Sequence, residues 1–167
     1  NPDRPEALEQ LEGISSINDS WKDLVVLLEE GAQATDDAIN GRDLWMKAAR
    51  IHASQLEDVP ASIRAYSSAL KLDNQDKEAV AALEQIYSRE EKWSELIEVL
   101  RIKVEALQAP DEKEQVYRQM AMIFEEMLEK PEEAVGCMKE ILNIDPANVE
   151  ALQALDKLYS AIQNWAD

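Results

Sequence analysis

The chain has 167 residues, about one domain by length, and its 4 glycines and 6 prolines are too few for a loop-rich all-β protein or a Gly-rich nucleotide site. Lys and Arg total 17 against 35 Asp and Glu, a net charge of −18, so nucleic acid and anionic bilayers are poor partners and neither is expected. One cysteine, Cys137, and one histidine, His52, exclude a disulfide framework and a CxxC metal or redox motif. No apolar run is long enough to span a membrane, and the segment from Asn1 to Leu11 is too charged for a signal peptide. A soluble protein is expected, with the cytoplasm slightly favoured.

Trp21, Trp93 and Trp165 stand 72 residues apart. The segments ending on them, EALEQLEGISSINDSW (6–21), EAVAALEQIYSREEKW (78–93) and EALQALDKLYSAIQNW (150–165), align without a gap. The same offset pairs Leu24 with Leu96, Leu28 with Leu100, Ile51 with Ile123, Leu70 with Leu142 and Asp73 with Asp145. One offset kept along a whole chain marks a repeat architecture. His52, Tyr87, Phe124 and Tyr159 divide the unit again, at spacings of 35, 37 and 35 residues.

The half-units run approximately 1–38, 39–74, 75–110, 111–146 and 147–167, and each reads as two helices, the last without its second. In the first, Asp19 or Ser20 is placed to cap the helix that opens at Trp21. In the second, Pro60 sits just inside a helix start, where a missing N–H costs nothing. In the third, Ala79, Leu83, Ile86 and Tyr87 fall at helical spacing. Arg89 to Lys92 interrupt the pattern, and Trp93, Leu96, Ile97, Leu100, Val104 and Leu107 resume it. The fourth opens near Asp111, a candidate cap, and continues through Val116, Met120, Ile123 and Phe124. It restarts at Pro131 with Ala134, Val135, Met138, Ile141 and Leu142, and closes at Asp145-Pro146. The even half-units carry an extra residue at their turn. No segment alternates with period two, so no strand is expected. Short connections make successive helices antiparallel neighbours, and stacked hairpins make a solenoid.

These residues resemble tetratricopeptide repeats. The likeness rests on Leu83…Tyr87, Met120-Ala121…Phe124 and Leu155…Tyr159 in first helices, Trp93 or Pro131 at the turn, Leu96 or Ala134 in second helices, and Asp145-Pro146. His52 departs from the aromatic and Asn74 from the closing proline, so a half-a-tetratricopeptide or related α-solenoid variant also fits. The resemblance implies an all-α, right-handed solenoid of stacked antiparallel hairpins, about 4.5 repeats forming a single repeat domain. Asn1-Pro2 matches Asp145-Pro146 in register, so the chain reads as a segment of a longer array, with a cut end through which weak self-association is expected.

Catalysis finds little material. His52 occupies the aromatic slot with no partner carboxylate, Cys or second His expected at ligand or triad spacing, and reads as a packing residue. Cys137 lies among Val135, Met138 and Ile141, and reads as a small hydrophobe. No catalytic, cofactor-binding or metal-binding residue is assigned, and no cofactor is expected. The resemblance implies that polar positions of the first helices line a concave face. Mapped onto this chain, they are Asp43, Met46, Arg50, Gln85, Arg89, Arg118, Met122, Glu125 and Lys157. Four cations in this short set suggest a groove for an acidic peptide; equally, Arg50, Arg89 and Arg118 could pair with carboxylates of adjacent helices.

The leading function is therefore a non-catalytic protein-interaction scaffold with a peptide or protein partner. A structural spacer or self-assembly element, and a regulatory region of a larger enzyme, are the alternatives. Fold resemblance does not choose among them.

Overall fold

The structure, a computed structural model, describes the backbone of residues 5–165 and the surroundings of the side chains from 10 to 162. Asn1-Pro2 and the side chain of Trp165 fall outside these limits. The described residues form helices and no strand: α1 (Pro5–Asn18), α2 (Trp21–Ala34), α3 (Ala38–Ser54), α4 (Val59–Leu72), α5 (Lys77–Arg89), α6 (Trp93–Ala106), α7 (Pro110–Met122), α8 (Pro131–Ile144) and α9 (Val149–Trp165). A π-helical turn, Ile123–Met127, prolongs α7. The chain divides into two compact units, Asn1–Ile86 and Tyr87–Asp167.

In the first unit α3 packs against α2 on one flank and α4 on the other; in the second, α8 packs against α7 and α9. The buried side chains keep the 72-residue register. Leu24 and Leu28 of α2 are buried as Leu96 and Leu100 are in α6, and Ile51 of α3 as Ile123 is in the π turn. Trp21 and Trp93 each open a second helix, half-buried. Ser62 is fully buried where the other unit has Ala134, and its hydroxyl donates to the Ala49 carbonyl at 3.1 Å. A buried hydroxyl without such an acceptor would cost about 1–3 kcal/mol.

The connections after α4 and α8 are built alike. Asp73 and Asp145 end their helices in extended backbone, and each carboxylate accepts from an N–H two residues on, Gln75 or Ala147, at 3.0 Å. Asn74 thus replaces proline without changing the turn, because the aspartate turns the chain by its own hydrogen bond.

The helix caps differ from the sequence expectation. Asp111 lies inside the first turn of α7, which starts at Pro110, and the Ser20 side chain makes no capping bond. Asp19 instead occupies the left-handed region, with φ of 53°. The side chains that do cap are Asp37, Asp58, Asp76 and Asn148, which accept from the N–H groups of Ile39, Ala61, Ala79 and Ala151.

The turns inside the hairpins explain the extra residue of the even half-units. After α1 and α5 the chain closes with one bond spanning five residues, Ser20 N–H to Ser15 and Lys92 N–H to Tyr87. After α3 and α7 it closes with the same five-residue bond, Leu56 to Ile51 or Leu128 to Ile123, and a second, wider one spanning six residues, Asp58 to His52 or Lys130 to Phe124. The additional residue is taken up by widening the last turn. All four turns pass through a left-handed residue that is not glycine: Asp19, Glu57, Glu91 and Glu129.

A left-handed L-residue costs roughly 1–2 kcal/mol, and glycine offsets part of that through unfolded-chain entropy of about 0.5–1 kcal/mol. Glu57→Gly and Glu91→Gly are each expected to stabilise the protein by about 0.5–1 kcal/mol. The measurement is a raised urea midpoint with an unchanged slope.

Candidate interaction face

The first helices α3, α5, α7 and α9 carry every residue mapped from the sequence, with Glu125 in the π turn that prolongs α7. In the first unit, Arg50 of α3 donates from Nε and Nη2 to the two carboxylate oxygens of Glu78 in α5, both at 2.6 Å. The Arg50 side chain remains 50% exposed. In the second unit, Arg118 of α7 reaches Glu150 of α9 at 2.7 Å, and is 32% exposed. Glu78 and Glu150 are 72 residues apart, so in both units an arginine of one first helix bridges to the same register position of the next. Arg50 and Arg118 sit one helical turn apart in that register. The carboxylates hold both guanidinium groups above their ordinary value, chiefly through the bonds to Glu78 and Glu114 respectively.

A second polar rung lies beside each arginine. Arg42 Nη1 donates to Asp76 Oδ2 at 3.0 Å, and Asp76 caps α5. At the equivalent positions, Asn148 Nδ2 donates to Glu114 Oε1 at 2.9 Å, and Asn148 caps α9. The donor has moved from the first helix to the cap while the bond is kept. The bonds from Arg118 and then Asn148 hold the Glu114 carboxyl below the usual carboxylate range. Asp43 is drawn to its neighbour Arg42, Arg89 to Glu90 at 3.2 Å, and Lys157 to Glu125 at 3.2 Å. Lys157 is the most open of these cations, with 77% of its side chain exposed. Gln85 and Met122 are exposed.

Met46 does not fit the mapped set. It occupies the register position of Arg118 but is only 3% exposed, because an uncharged thioether gains by burial where a guanidinium must keep contact with water or carboxylate. The sequence reading missed Arg42, Asp76, Glu78, Glu114, Asn148 and Glu150. Their signal was the register itself, which pairs 42 with 114, 76 with 148 and 78 with 150.

His52 does have a carboxylate partner: its Nε2 lies 3.0 Å from Glu29 Oε1 on α2, and Nδ1 is buried with no partner. The two residues are 23 apart in sequence and meet only when α2 and α3 pack. The ring is 8% exposed, so it fills its aromatic slot while Glu29 satisfies one nitrogen. Burial pushes the Cys137 thiol up to about 11, chiefly by desolvation of its thiolate. Among the described residues no three His, Cys, Asp or Glu side chains group as a metal site, and no helix is long and apolar enough to cross a membrane. On α9, Leu158 is buried while Val149, Leu152 and Tyr159 are exposed, with Lys139 Nζ 5.9 Å from the Tyr159 ring centre.

No protein-family model and no curated protein matches the sequence. Among solved structures, one described as the crystal structure of MamA protein is 12% identical, with a TM-score of 0.51 over 93% of this chain and 80% of that one. Another, described as the MamA RS-1 ArsTM double mutant, is 14% identical, with a TM-score of 0.51 over 95% and 84%. The likeness is one of fold. This chain has an all-α fold of stacked helical hairpins, an α-solenoid, similar to these structures.

Two titrations follow. The depressed Glu114 carboxyl contributes stability above the ordinary glutamate value, about 4.3, which is lost as pH falls through its lower folded value. Arg118→Gln should return Glu114 toward the ordinary value, read from its carboxyl carbon shift by NMR. Cys137 behaves in the opposite sense. Between the ordinary thiol value of 9.0 and about 11, the unfolded chain ionises and the folded one does not, so stability should fall as pH rises through that window. Ellman's reagent at neutral pH should accordingly react with Cys137 only as the protein unfolds.

Proposed function

We propose that the protein is a non-catalytic interaction scaffold in which the first helices of each unit take an acidic segment of a partner protein. The observation that carries this reading is the repeated bridge, Arg50 to Glu78 and Arg118 to Glu150. Each guanidinium is pinned at the face by one carboxylate and is still partly open to solvent. A ligand carboxylate with the same geometry can replace the helix's own, with little change in the arginine's position. An exchange of this kind suits a surface that must stay soluble when empty, and exposed ion pairs of about 0.2–1 kcal/mol are weak enough to be exchanged.

The chemistry of the single cysteine and the single histidine supports a non-catalytic role. Cys137 is buried and held as the neutral thiol, and His52 is committed to a packing slot and Glu29. A nucleophile needs exposure and a lowered pKa, the reverse of what Cys137 has.

The test uses a fluorescent Glu-rich peptide and reads affinity by anisotropy. Arg50→Gln and Arg118→Gln should each weaken binding, and Glu78→Gln with Glu150→Gln should strengthen it by releasing the arginines. Binding should fall as salt rises, because exposed charges are screened beyond about 8 Å at physiological ionic strength. Affinity that responds to neither pair of substitutions would place the ligand elsewhere.

A further inference from the structure

The second unit contains a groove of about 440 Å³ between the π turn that ends α7, the start of α8 and the last turns of α9. Its apolar side is Leu158, Ala161 and Ile162, and its rim carries Glu126, Glu129 and Glu132. A fourth lining glutamate, Glu125, is occupied by Lys157. Among the described residues no cation pairs with the other three.

The scaffold does not require these carboxylates. The 72-residue register supplies an internal control, since Glu125, Glu126 and Glu132 correspond to Ala53, Ser54 and Pro60 in the first unit. Of the rim residues, Glu129 alone has an acidic counterpart, Glu57, and both stand at the left-handed turn position. Glu126 sits at the carbonyl end of its helix, where a negative charge is unfavourable. Glu132 lies in the first turn of α8 and does have a helix-dipole reason to be acidic. The widened π turn is the element that presents Glu126 at this edge.

We propose that this groove docks a basic amphipathic segment of a partner protein. An apolar side chain would rest on Ala161 and Ile162, above the buried Leu158, and flanking Lys or Arg side chains would meet Glu126, Glu129 and Glu132. Charge complementarity selects this occupant: an acidic or neutral segment would leave three unpaired carboxylates around the apolar side chain it buries. The site is separate from the arginine bridges of the first-helix face and takes the opposite charge, so either can fail without the other.

The experiment titrates the whole chain into a short labelled peptide with a central leucine flanked by arginines. Because a protein of charge −18 attracts any cationic peptide, the groove is compared with a charge-matched control. Glu126→Gln with Glu132→Gln should weaken binding by about tenfold or more, and Glu30→Gln with Glu95→Gln, both exposed and outside the groove, by less than about twofold. Ala161→Arg, which puts a guanidinium of the protein's own among the glutamates, should abolish binding while circular dichroism stays unchanged. Replacing the peptide's leucine by serine should also weaken binding. Equal losses in the two double variants, indifference to Ala161→Arg, or no binding by the unaltered chain would each overturn the proposal.

Discussion

A helix of 13 to 17 residues is marginal in water by itself, because nucleating the first turn fixes several dihedrals for a single hydrogen bond. Every helix here therefore depends on the apolar stripe it presses against a neighbour. The stripes are made of small and medium aliphatic residues, with Ala48, Ala49, Ala65 and Ala69 fully buried where α3 and α4 meet. Small side chains let two helices approach closely, and the larger Leu28, Leu44, Leu83 and Leu100 fill what remains. Burying one such leucine contributes about 1.5–3 kcal/mol, more than any polar bond on the surface. The repeat in the sequence is thus first a repeat in packing.

Polar groups are then arranged on top of that packing. With 35 acids and 17 bases, cations are the scarce resource, and the structure places several between successive first helices. Arg50 and Arg118 each join two helices and Lys47 reaches Glu12 of α1, so neighbouring hairpins are held by charge as well as by apolar surface. The rungs tolerate exchange of chemistry, as the reversal from Arg42–Asp76 to Asn148–Glu114 shows. What they preserve is one donor facing one acceptor at the cap of the following first helix. The carboxylates left over accumulate elsewhere, and at the π turn they surround an apolar groove instead of a helix partner.

Much of the architecture was legible in the sequence because apolar spacing is a local property. The tryptophan spacing, the leucine register and the Asp145-Pro146 closure each follow from neighbours along one helix or turn, and α2, α6 and the connection after α8 formed accordingly. The caps were less legible: Asp19 and Asp111 have suitable chemistry, but capping depends on where the preceding turn leaves the backbone. The extra residue of the even half-units was visible as a count, whereas its absorption by a widened turn depended on how α7 meets α8.

The sequence by itself determined the period, the helical class and the buried stripe, since each is encoded in residues three or four positions apart. Only the tertiary structure decided which side chains meet across helices. Arg50 finds Glu78 28 residues away, Arg118 finds Glu150 32 residues away, and His52 finds Glu29. Met46 and Arg118 share a register position, yet one is buried and the other faces water. The physical reason is that a long polar side chain has many partners within reach in so acidic a chain. The choice among them is made by the distance between packed helices, a quantity that no single helix carries.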